Sequence, residues 1–185
     1  MPLSNGKYYP EVSQGNVFIG STAAAGSAFP ISTGTAVTFG LWNTNPNKNG
    51  VLLWCSIGYT SGTIALGTIG IANQDCGYAI GTAAPLSAFT DGVLGTTIKN
   101  ALLGSGKAPS MRFTPSAATL TAGGTAAYWF GRSIESATAG LGIFQCKEDF
   151  DGGLIVRPGQ LAFVCGSVAQ TGVFTMSMAW AEVDA

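Results

Sequence analysis

Residues 151–183, DGGLIVRPGQLAFVCGSVAQTGVFTMSMAWAEV, carry the reading that decides the fold. In their last segment Phe174, Met176, Met178 and Trp180 alternate with Thr175, Ser177, Ala179 and Ala181. A period of two is the signature of a strand with one buried face. The large side chains are expected to fill a core, and the small ones to let another sheet or subunit come close. Upstream, the apolar runs 154–156 and 161–164 flank Pro158-Gly159. Proline sets φ near −65° and glycine supplies the positive φ of a type II turn, so these runs are expected to form a hairpin. Residues 170–172 then break the chain before the closing strand.

The same grammar extends outward. Strands are expected at 17–19, 36–42, 51–59 and 64–71, with polar or glycine-containing links between them. Further strands are expected at 111–113, 117–120, 126–130 and 141–146. Turn signals at a spacing of about eight to twelve residues fit an all-β sandwich or barrel. The expected fold is a jelly-roll-like β-sandwich of about eight strands, whose paired sheets bury edges that would otherwise aggregate. Leu94, Ile98, Ala101 and Leu102 stand at helical spacing and predict one short helix, stopped by Gly104 and Gly106. Residues 1–14 read as an extended N-terminal arm, since Pro2 and Pro10 argue against helix, and residues 15–185 as the sandwich. Tyr8 and Tyr9 give the arm two aromatic anchors, for a partner or for its own domain.

Composition narrows the function. The 185 residues suit one domain, large enough to bury roughly 70% of the unfolded surface. Only 9% of residues are charged, against about 25% in an average soluble protein. Gly, Ala, Ser and Thr must therefore cover much of the exterior, which favours a surface covered by neighbours. Net charge is −1, and the eight Lys and Arg residues are scattered singly. Nucleic-acid binding needs clustered cations facing phosphates, so no nucleic-acid partner is expected. Residues 1–15 carry no basic-then-apolar leader, and no apolar run reaches about 20 residues. The expectation is a protein made in a cytoplasm, with no membrane partner.

Chemistry is sparsely provided for. Histidine is absent, which removes the commonest general base and zinc ligand. Cys55, Cys76, Cys146 and Cys165 form no CxxC pair. Cys55 and Cys165 alternate with apolar neighbours and read as buried thiols, with disulfides as the alternative. Residues 101–108, ALLGSGKA, approach a phosphate-binding loop, but Ala108 stands where a metal-holding hydroxyl is needed and Pro109 stops any helix. Glu148, Asp149 and Asp151 before Gly152-Gly153 are the acidic cluster; a solvated turn is the expectation, a cation site the alternative. No cofactor, metal or enzymatic activity is expected. Tyr128-Trp129-Phe130 are adjacent aromatics in a strand, so with Trp129 inward, Tyr128 and Phe130 face outward as candidates for stacking or interface contact. Trp42, Trp54 and Trp180 are expected in the core.

Residues 100–108 with Met111-Arg112-Phe113 and Pro115, the Pro158-Gly159 turn, and the ending Trp180-Ala181-Glu182-Val183 resemble a group of virion proteins of tailed bacteriophages. The resemblance spans the second half of the chain. It implies a jelly-roll-like virion component that binds the major capsid protein, a homotrimeric cement or decoration protein bridging capsomers on the capsid surface. The alternative it implies is a receptor- or glycan-binding head on a fibre or knob. The interface candidates are Tyr8, Tyr9, Tyr128 and Phe130, and no catalytic residue is implied.

Overall fold

The computed structural model describes residues 6–134 and 144–185. The first five residues of the arm, and part of the strand expected at 141–146, lie outside them. One helix, α1 (Tyr9–Ser13), precedes thirteen strands among the described residues: β1 (Val17–Ser21), β2 (Ala36–Val37), β3 (Gly40–Trp42), β4 (Lys48–Ser61), β5 (Gly67–Asp75), β6 (Leu86–Phe89), β7 (Ile98–Asn100), β8 (Arg112–Thr114), β9 (Ala118–Leu120), β10 (Thr125–Ile134), β11 (Gln145–Val156), β12 (Gln160–Gly166) and β13 (Val173–Asp184). They form three antiparallel sheets ordered β11-β4-β13-β1-β7, β10-β5-β12-β3-β8 and β2-β9-β6. The all-β sandwich expected from the alternation is what the chain builds.

The two five-stranded sheets are wound from nested pairs. β1 pairs with β13, β3 with β12, β4 with β11 and β5 with β10. The first of these eight strands thus lies against the last, the second against the seventh, and so inward to the middle. β7 and β8 extend one side of each sheet, and the small third sheet covers the outer face of the second.

Phe174, Met176, Met178 and Trp180 all point into the core between the large sheets, as their alternation requires. They meet Leu41, Ile69, Ile71 and Val164 of the opposite sheet. Phe113 stacks on Trp180 at 5.7 Å between ring centres and meets Phe39 edge-on at 5.0 Å. Gly20 makes room for this group: a Cβ there would lie 2.5 Å from the Phe113 ring. A second cluster, including Trp42, Leu161, Phe163 and Cys165, lies under the third sheet. The small face of β13 is covered too. Ala179 and Ala181, with Val17 and Leu53, pack beneath Tyr8 and Val12 of the N-terminal segment.

Four local expectations are corrected. Residues 9–13 are helical, because Pro10 sits in the first turn, where an amide donor has no intrahelical acceptor to lose. The described part of the arm is therefore a one-turn strap docked on its own domain. The helix expected around Leu94 to Leu102 is instead β7 between two turns; its apparent period comes from residues on separate turns, with Gly95 and Gly104 at φ 86° and 84°. The turn at Pro158-Gly159 forms as expected, with the Gln160 amide donating to the Arg157 carbonyl at 3.0 Å and Gly159 at φ 81°. Its flanking strands do not pair, however: β11 belongs to the first sheet and β12 to the second, so the turn is an arch across the core. Trp54 is only partly buried, on the outer face of the first sheet.

Candidate functional site

The acidic cluster lies in the long edge strand β11. Between the pairs Asp149↔Trp54 and Leu154↔Leu52, β11 advances five residues while β4 advances two. The surplus makes a bulge in which Asp151 takes φ 53°, a left-handed conformation that aspartate tolerates better than most residues. Bulges and charges on an edge strand prevent open-ended pairing with other chains. The bulge also holds the strap. Asp151 Oδ1 accepts from Lys7 Nζ and from the Tyr8 hydroxyl, both at 2.9 Å. Lys7 foremost, then Tyr8, hold the Asp151 carboxyl below its usual range. Lys147 pairs with Asp149 at 2.6 Å, and Glu148 accepts from the Tyr128 hydroxyl at 2.9 Å. Among the described residues no group of three potential ligands is placed to hold a metal ion.

The interface candidates take different positions. Tyr8 is partly buried between the Asp151 latch and the sheet, while Tyr9 is exposed on α1. Tyr128 is partly exposed, with its ring edge-on to Phe150 at 5.9 Å. Phe130 is not outward: it is 6% exposed and packs on Phe150 at 5.8 Å, within the main core. Trp129 takes the opposite side and is 40% exposed, its ring against Gly70 across the strand pair. Tyr128 is thus exposed as expected, while Phe130 is buried and Trp129, taken as inward, is exposed. Tyr128 and Phe130 together close the gap between edge strands β10 and β11, which lie in different sheets.

Two further features complete the surface. Lys107, in the glycine-rich stretch, donates to Asn16 Oδ1 at 2.5 Å and to the Gln14 carbonyl at 3.3 Å, so it fastens the strap's exit from the sheet. Beside β7, at the free edge of the first sheet, Val93, Leu94, Leu102 and Leu103 are exposed, Leu103 by 88%. Leu94 and Leu103 share a shallow hollow with Lys99 and Ser105. Sequence reasoning placed Leu94 and Leu102 on a helix and so missed this patch; the unbroken pair Leu102-Leu103 next to Gly104 was the available signal.

The thiols are enclosed. Cys55, Cys76 and Cys165 are buried and free, and Cys146 is buried in the same core cluster as Cys55, opposite Ile57 of β4. Burial pushes the Cys76 and Cys165 thiols up to about 12, and Cys55 further still. Such groups are inert as nucleophiles at neutral pH.

Comparison of the chain with protein-family models, curated proteins and solved structures finds no match.

Proposed function

We propose that this chain is a structural assembly protein rather than a catalyst, a jelly-roll component of a tailed-bacteriophage virion. In this reading it acts as a cement or decoration protein, a homotrimer that binds the major capsid protein and bridges capsomers. The observation that carries the assembly role is the exposed aliphatic patch of Val93, Leu94, Leu102 and Leu103 at the edge of the first sheet. Exposed apolar side chains grouped at a sheet edge in this way mark a candidate interaction site. The low charge of the chain supports it: 9% charged residues leave few ions to desolvate when surfaces meet. Nested pairing of first strand with last, and so inward, supports the jelly-roll part of this reading. Fold alone does not assign a role, so the virion assignment draws on the sequence resemblance.

Counting copies tests it. In purified virions, quantitative mass spectrometry is expected to find the chain in fixed, high proportion to the major capsid protein. Absence from particles sinks the reading. A few copies per particle favour the second reading, a glycan-binding head, for which Trp129 lying open over Gly70 is a stacking surface.

A further inference from the structure

Where β11 leads into the arch at Pro158-Gly159, the space between the large sheets opens into a cleft of about 180 Å³. Its apolar walls include Leu52, Ile71, Val156 and Ala162, each buried in the sandwich. Polar groups stand elsewhere on the lining: Asn73, Gln160 and Arg157. Asn73 Nδ2 donates to Gln160 Oε1 at 3.3 Å, which leaves Gln160 Nε2 as a donor with no partner among the described residues. Arg157 is exposed and unpaired; the ion pairs among the described residues use Lys7, Lys48, Arg112 and Lys147 instead.

We propose that this cleft binds a small monocarboxylate bearing one branched aliphatic group or one ring. The apolar part would lie on Leu52, Ile71 and Ala162, with the carboxylate against Arg157 and Gln160 Nε2. Size sets the class. A closed apolar cavity of roughly 150 Å³ holds a benzene molecule, so the cleft suits one such group and excludes a lipid chain. Water is a poor occupant of the walls, because an ordered water needs about two to four polar partners and the four aliphatic residues offer none. Arginine's planar fork matches a carboxylate with two parallel hydrogen bonds, which a neutral ligand cannot use as well. An inorganic anion would satisfy Arg157 and leave the apolar walls wet. The cleft lies in residues that the aliphatic patch does not use, so this proposal stands independently of the assembly reading.

The test is a titration of the ¹⁵N-labelled full chain with 4-methylpentanoate, and in parallel with the neutral 4-methylpentanamide. Saturable shifts are expected at the amides of Leu154, Val156, Arg157 and Gln160 with the acid. Affinity is expected to fall about tenfold or more for the amide, and equally for the acid with Arg157→Gln, as for loss of a charged hydrogen-bond pair. Arg157 lies at the surface, so an otherwise unchanged spectrum will certify the variant's fold. Absence of saturable shifts at millimolar acid overturns the proposal. So does affinity that changes by less than about threefold in either the amide or the Arg157→Gln arm.

Discussion

Glu182 is 6% exposed, yet its carboxylate forms no ion pair among the described residues. It is satisfied by donors instead: the Ser110 amide at 2.9 and 3.0 Å, the Ser110 hydroxyl at 2.6 Å, the Met111 amide at 3.1 Å and Trp180 Nε1 at 3.4 Å. One side chain therefore ties the segment entering β8 to the closing strand and orients the central tryptophan. Glu182→Ala would leave these donors buried without an acceptor, at a cost of about 2–4 kcal/mol. Glu182→Gln keeps one acceptor oxygen and is expected to cost about half as much. Urea unfolding will separate the two variants, with the midpoint moving at constant slope. Equal losses below about 1 kcal/mol would show that solvent replaces the carboxylate. Nothing in the sequence marks this role, because Ser110 and Glu182 lie 72 positions apart and only folding makes them neighbours. The inward set Phe174 to Trp180 was legible for the converse reason: alternation is local, and a buried face admits no one-residue slip.

At the scale of elements, punctuation was legible and partnership was not. Pro158-Gly159 specifies a reversal, but a turn within one sheet and an arch between two sheets use the same local chemistry. What distinguishes them is where Val156 and Leu161 find cover, and that depends on strands far away in sequence. The strap is a second case. Pro10 reads as a helix breaker until its position in the first turn is known, and the latch formed by Lys7, Tyr8 and Asp151 joins residues more than a hundred positions apart. Since Lys7 and Tyr8 depress the folded-state pKa of Asp151, the latch contributes fully above the unfolded carboxylate value and is lost as pH falls through the depressed one. Acidification is therefore expected to lower hydrogen-exchange protection at the strap amides of Val12, Gln14 and Gly15, each bonded within the strap, before the sheets respond. Asp151→Asn is expected to do the same at neutral pH, compared as protection factors. Unchanged protection in that variant would assign the strap's docking to Tyr8 and Val12 packing and to the Lys107 contacts, without the latch.

Over the whole molecule, the two large sheets end in β10 and β11 at one rim and in β7 and β8 at the other, and the two rims are treated differently. The rim formed by β10 and β11 is bulged, charged and closed by Tyr128, Phe130 and Phe150, which discourages pairing with another chain. Beside β7 at the opposite rim, Val93, Leu94, Leu102 and Leu103 are exposed around Lys99. An interface built there would draw on apolar burial with little Coulomb attraction, so its strength should hardly change with salt, whereas association through charged patches weakens as ions screen it. Sedimentation equilibrium of the purified chain is expected to show reversible association that persists from low to high sodium chloride. Leu103→Asp is expected to shift that equilibrium to monomer while leaving stability within about 0.5 kcal/mol, because a side chain that is 88% exposed contributes little to the core. The stability control separates loss of an interface from loss of the fold. Association that Leu103→Asp leaves intact would remove this rim from the assembly surface, and association abolished by salt alone would show that the few charges on the chain, rather than its apolar edge, bring copies together.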